Sequence, residues 1–98
     1  MKVIERATTP NGIEIQIEDW SANYNFMAYA GTVAAYPIAQ ESGRNQFEPK
    51  IGEKFRLAFD FKSTELAATC FEQLKTGKKR LTDYASDKDK HYLREVAQ

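Results

Sequence analysis

Three observations predict an α+β domain, an antiparallel sheet of about four strands with one main helix packed on one face and a shorter C-terminal helix. "IEIQIED" (13–19) and "KFRLAFDFK" (54–62) each alternate apolar and polar residues with the period of a strand, and the residues after Ser63 carry apolar side chains at helical spacing. Ninety-eight residues fit a single domain spanning 1–98 and leave no room for a second. Hydrophobic residues at 42%, with twelve aromatics, suffice for its core.

Each element follows from local chemistry. Lys2–Thr8 and Ile13–Asp19 flank "TPNG", where Pro10 presets its backbone angle, Asn11 tolerates a left-handed conformation and Gly12 closes a hairpin turn. Ile13, Ile15 and Ile17 point to one face. Glu14, Gln16 and Glu18 point to the other, which is expected to be wet. The first strand alternates too weakly to set its register.

"FMAYAGTVAAYP" (26–37) carries no charge in a chain that is 29% charged, which reads as a central strand covered on both faces. Its alanines and Gly31 leave space for a second backbone to approach. Residues 37–53, punctuated by Pro37, Gly43, Pro49 and Gly52, form a connection long for so small a domain. In 54–62, Phe55, Leu57, Phe59 and Phe61 share one face. Ser63 is placed to cap a helix that Gly77 ends, with Leu66, Ala67, Cys70, Phe71 and Leu74 on its apolar side. A turn around Leu81–Tyr84 returns the chain to the body, and a second helix starts near Ser86, with Tyr92, Leu93 and Val96 as its apolar contacts.

Composition narrows the function. One cysteine excludes an intramolecular disulfide, no run approaches a membrane span, and the charged start "MKVIERATTP" lacks the apolar stretch of a signal peptide, so a soluble, cytoplasmic protein is expected. Residues 1–53 carry seven acids and four bases, whereas 54–98 carry seven acids and ten bases; the halves cancel, which argues against a dedicated nucleic-acid binder.

No catalytic set assembles, and an enzyme is not expected. Lys75, Lys78, Lys79 and Arg80 surround the end of a helix whose carbonyls favour cations by roughly 0.3–1 kcal/mol each. A phosphate loop would need glycine at Glu72 and a hydroxyl at Lys79, so that reading fails. His91 shares a helical spacing with Asp87 and Glu95, but the lysines at 88 and 90 make this a solvated stripe rather than a metal site, and no cofactor is expected. Cys70 reads as a small core residue, and no pocket is visible in the sequence to set the pKa values of Glu14 and Glu18 apart.

The aromatics outside the core point to binding. The expected function is a small accessory module that docks on another protein through the 37–53 loop, with Arg44, Gln46 and Phe47 at its centre and Trp20 and Tyr24 beside it. Phe47, a lone aromatic among polar neighbours, either pins the loop to the core or meets the partner. The alternative is contact with nucleic acid through Lys54, Arg56, Lys62, Lys78, Lys79 and Arg80. Should strand 2–8 or 54–62 lie at a sheet edge, its free backbone groups offer pairing to a second copy.

Overall fold

The computed structural model describes residues 1–23 and 28–93. Strands β1 (Lys2–Thr8), β2 (Glu14–Asp19), β3 (Gly31–Tyr36) and β4 (Leu57–Phe61) form an antiparallel sheet in the order β1-β2-β3-β4, followed by helices α1 (Thr64–Thr76) and α2 (Asp87–Lys90). Among the described residues no helix is long and apolar enough to cross a membrane.

The hairpin forms where the turn residues place it. The Gly12 amide donates to the Thr9 carbonyl at 2.9 Å, and Gly12 rather than Asn11 takes the left-handed backbone, at φ +84°. The Thr9 hydroxyl accepts from the Ile13 amide and locks the start of β2. Register in β1 shifts between Val3 and Glu5, an irregularity that no alternation of side chains could announce. Both β1 and β4 are edge strands.

Strand pairing builds the core in rows across the sheet. Ile15, Ala35 and Leu57 face one another, as do Ile17, Val33 and Phe59. Helix α1 covers these rows with Ala67, Cys70, Phe71 and Leu74, all buried. Leu66, expected on this face, is half exposed, because the i, i+3, i+4, i+7 set that meets the sheet starts at Ala67, one position further on. Gly31 sets how close the helix comes. A Cβ at that position would lie 2.9 Å from the Ala67 Cβ and 3.0 Å from the Ser63 carbonyl oxygen, so the helix start and β3 are in backbone contact there.

The helix ends where its local signals put it. The Ser63 hydroxyl accepts from the Leu66 amide at 3.2 Å, and Gly77, at φ +79°, donates its amide to the Leu74 carbonyl. Leu81 is buried beyond it. Tyr84 sets its ring against Phe59 and Phe61 and its hydroxyl on the Gln73 side chain, so the Leu81–Tyr84 turn does anchor the chain. Ser86 caps α2 by accepting from the Asp89 amide, and Tyr92 and Leu93 are buried just after it. Val96, Glu95, Tyr24 and positions 26 and 27 of the expected strand lie outside the described residues, whereas Ala28, Tyr29 and Ala30, expected in the strand, precede it: β3 begins only at Gly31.

The second sheet face departs from expectation. Glu18 was predicted wet with Glu14 and Gln16, yet its side chain has no solvent exposure. The Arg56 guanidinium grips it through two bonds, Nη1 to Oε2 at 2.7 Å and Nη2 to Oε1 at 2.8 Å, and also reaches the Tyr36 hydroxyl. Gln16 and Trp20 donate to the same carboxylate at 2.5 and 3.0 Å. The Arg56 bonds, with those from Gln16 and Trp20, outweigh the desolvation that opposes ionisation, and the Glu18 pKa falls from 4.5 to about 2. Alternation assigns Glu18 to the helix-free face correctly; it cannot foresee a side chain 38 residues later lying over it.

Candidate docking surface

The connection between β3 and β4 is an ordered stalk. At its root Ile38 bridges to Lys54, and the Phe55 amide donates to the Pro37 carbonyl. Above that, the Ala39 amide donates to the Glu53 carbonyl, and the Gly52 amide to the Ala39 carbonyl, both at 2.8 Å. Higher still, the Ile51 amide donates to the Ser42 hydroxyl and the Gly43 amide to the Pro49 carbonyl, at 3.0 and 2.7 Å. The two arms therefore cross-link along their length without forming a regular ladder.

The tip is a turn from Asn45 to Glu48 with Gln46 and Phe47 in the middle. The Glu48 amide donates to the Asn45 carbonyl, and the Asn45 side chain accepts from the Phe47 amide at 2.9 Å, the local bond that makes asparagine a turn residue. Glu48 then closes the turn from the other side. Its carboxylate accepts from the Asn45 side-chain amide and from the Arg44 backbone amide, at 3.0 and 3.1 Å. Gly43 is required for this closure, because a Cβ there would sit 2.2 Å from the Glu48 Cβ.

A brace from the C-terminal segment fixes the stalk to the body. The Tyr92 hydroxyl donates to Glu48 at 2.6 Å, the Gln40 amide to the Tyr92 carbonyl at 2.9 Å, and the His91 Nε2 lies 2.8 Å from the Ser42 carbonyl oxygen. Tyr92 also packs its ring, tilted by 60°, against Phe55, with centroids 5.3 Å apart. The Tyr92 hydroxyl, and then the Arg44 amide, hold the Glu48 carboxyl below its ordinary pKa.

With all this holding it in place, Phe47 is 88% exposed, and Ile51 is 64% exposed further down the same loop. Of the two roles open to Phe47, pinning the loop is excluded: Glu48, Asn45 and Tyr92 do the pinning. Arg44 and Gln46 flank it, both exposed. Trp20 is elsewhere. Its amide bonds Ala30 at the start of β3, whereas the stalk leaves the end of β3, so six residues, or about 20 Å of strand, separate them. Half-buried, edge-on to Tyr29 and donating to Glu18, Trp20 belongs to the sheet's polar network and is not a neighbour of the loop.

The basic residues do not gather. Lys54 pairs with Glu14 at 3.0 Å and Arg56 is bound by Glu18, while Lys62 sits beyond the far end of β4. Lys78, Lys79 and Arg80 are exposed after α1, where Lys79 and Arg80 flank a depression of about 190 Å³ beside Pro10 and Asn11. Lys75 instead bonds Glu5 of β1. Cys70 is buried under the sheet with its thiol pushed up to about 12 by burial, which removes it as a nucleophile. Among the described residues no three His, Cys, Asp or Glu side chains are grouped to hold a metal ion.

Sequence reasoning located the tip residues but missed their supports. The Tyr92 bond to Glu48 crosses 44 positions of chain, for which a single sequence has no local signal, whereas the Glu48 bonds to Asn45 and Arg44 and the Gly43 approach to Glu48 act within five positions. No protein-family model matches the chain, and no curated protein or solved structure matches it either.

Proposed function

We propose that the chain is a small cytoplasmic binding module that docks on another protein through the tip of the 37–53 stalk. The observation that carries this reading is the mismatch between how firmly the tip is held and what it displays: a turn closed by Asn45 and Glu48 and braced by Tyr92 presents Phe47 almost wholly to water. An isolated exposed apolar residue is ordinary on a protein surface, but a preorganised loop that presents one has already lost the conformational freedom that binding would otherwise cost. Covering a phenylalanine ring is worth about 1.5–3 kcal/mol, enough for an anchor inside a polar rim.

Protein is favoured over nucleic acid because, of the six cations of that alternative, Lys54 and Arg56 are engaged by Glu14 and Glu18, and Lys62 lies before α1 while Lys78, Lys79 and Arg80 lie after it. The test is affinity capture with the intact chain beside Phe47→Ala and Phe47→Trp. A partner that binds the parent and Phe47→Trp but is lost with Phe47→Ala, at unchanged thermal stability, is the expected result. Equal capture by all three chains removes the tip from the function.

A further inference from the structure

Resting on the docking reading just given, we infer the chemistry of the partner: a peptide segment in which a large apolar side chain is flanked by carboxylates. It would lie in the cleft between the stalk tip and α2. That cleft, about 610 Å³, is lined by Arg44, Glu48, Asp87, Lys88, Lys90, His91 and Tyr92, and the exposed Phe47 is the residue before Glu48 in the chain.

The charge of this region is decided by which groups are already used. Glu48 and Glu53 serve the loop itself: Glu48 accepts from Asn45, Arg44 and Tyr92, and Glu53 accepts from the Lys50 amide at 3.1 Å. Asp87, at the same cleft, is paired with Lys90 at 3.7 Å. Arg44, Lys50 and Lys88 are exposed, and Lys88 lies near enough to the Glu48 carboxylate to help hold its pKa down. Glu48 is turned to internal work while Asp87 stays exposed, and the three bases Arg44, Lys88 and Lys90 outnumber these two acids in the cleft.

Arg44 and Lys88 line the cleft with Glu48, the residue that follows the exposed Phe47, and suit separate carboxylates around one apolar side chain. Arg44 can take a carboxylate through paired bonds, and Lys88 can take another as a point charge. A nucleic-acid strand also has bases to stack on Phe47 and phosphates for the bases of the rim. It fits less well, because its charges repeat at every nucleotide and would run over Glu48 and Asp87, whereas the acids of a peptide can be spaced to avoid them.

The experiment is panning of a displayed library of short random peptides against the full chain, with Phe47→Ala as the counter-target. Enriched peptides should carry Asp or Glu close to Leu, Ile, Phe, Trp or Met. The affinity of a fluorescent enriched peptide should fall roughly tenfold or more in Phe47→Ala. It should also fall several-fold in each of Arg44→Glu and Lys88→Glu and weaken with added salt. No enrichment over the counter-target, enrichment of basic or uncharged peptides, or a single-stranded oligonucleotide that binds more tightly than the peptide and depends on Phe47, would each overturn the inference. A captured protein lost with Phe47→Ala but indifferent to both charge reversals would also overturn it, while leaving the docking reading intact.

Discussion

Replacing Glu18 with glutamine removes the charge that Arg56 grips in the folded protein. There the carboxyl of Glu18 is displaced from 4.5 to about 2, with the Arg56 bonds as the largest cause. At ~1.4 kcal/mol for each tenfold in proton affinity, that displacement amounts to about 3 kcal/mol of stability. Because the folded pKa lies below the unfolded one, the contribution is complete above about pH 4.5 and is lost as the pH falls towards 2. Glu18→Gln keeps the shape and some of the hydrogen bonding but removes the charge, so it should lower stability by about 3 kcal/mol at neutral pH, a large part of the total for a domain this size. Arg56 retains access to water, with 40% of its side chain exposed, which keeps the loss below that of a stranded buried cation. The assay is urea unfolding at a series of pH values from neutral down to about 2. The parent should lose stability steeply below pH 4.5, and Glu18→Gln should show a flatter acid limb that meets the parent's near pH 2. Two parallel curves separated by a constant gap would refute the reasoning, since they would mean that Glu18 titrates alike in the folded and unfolded chains.

Three further outcomes follow from the packing. Gly31→Ala should cost roughly 1–3 kcal/mol in urea unfolding, because the added methyl meets the Ala67 Cβ and the Ser63 carbonyl where neither backbone can easily retreat. Gly77→Ala should cost about 1–2 kcal/mol, since the residue must hold φ near +79° and its Cβ would also meet the Pro10 ring at 2.8 Å; an unchanged melting temperature would contradict this. Cys70, buried and with its thiol held near 12, should resist a thiol-specific chromophoric reagent in the native protein at pH 8 and react promptly once the chain is denatured.

How far the sequence could be read depends on the range of the interaction concerned. The helix from Ser63 to Gly77 and the hairpin at Thr9–Gly12 were legible because their determinants, a capping hydroxyl and glycines with left-handed backbone, act within four residues. The inner sheet rows were legible because alternation is set by the pleat. Glu18 was assigned to the correct face and the wrong environment: a strand pattern tells which way a side chain points but not what arrives above it, and Arg56 arrives from a different strand segment. The Phe47 turn was seen as a loop and its bracing was invisible for the same reason, since Tyr92 enters from the far end of the chain.

Whether the tip works because it is rigid can be separated from whether it works because it is apolar, and Gly43→Ala makes the separation. The new Cβ would fall 2.2 Å from the Glu48 Cβ and 2.9 Å from the Tyr92 hydroxyl oxygen, and the first of these atoms is fixed to its backbone, so the closure at Glu48 must open. The loop lies at the surface, so the strain is relieved locally while the sheet and α1 keep their contacts. Hydrogen exchange should then accelerate at the Arg44, Phe47 and Ile51 amides, which now donate to Glu48, Asn45 and Ser42, while amides of β2 and β3 keep their protection. Phe47 remains in the chain and as exposed as before, so any loss of partner affinity in Gly43→Ala measures the ordering that the parent loop supplies in advance. An affinity equal to the parent's, together with accelerated exchange at the three amides, would show that the aromatic ring alone suffices and that the stalk's hydrogen bonds have another purpose.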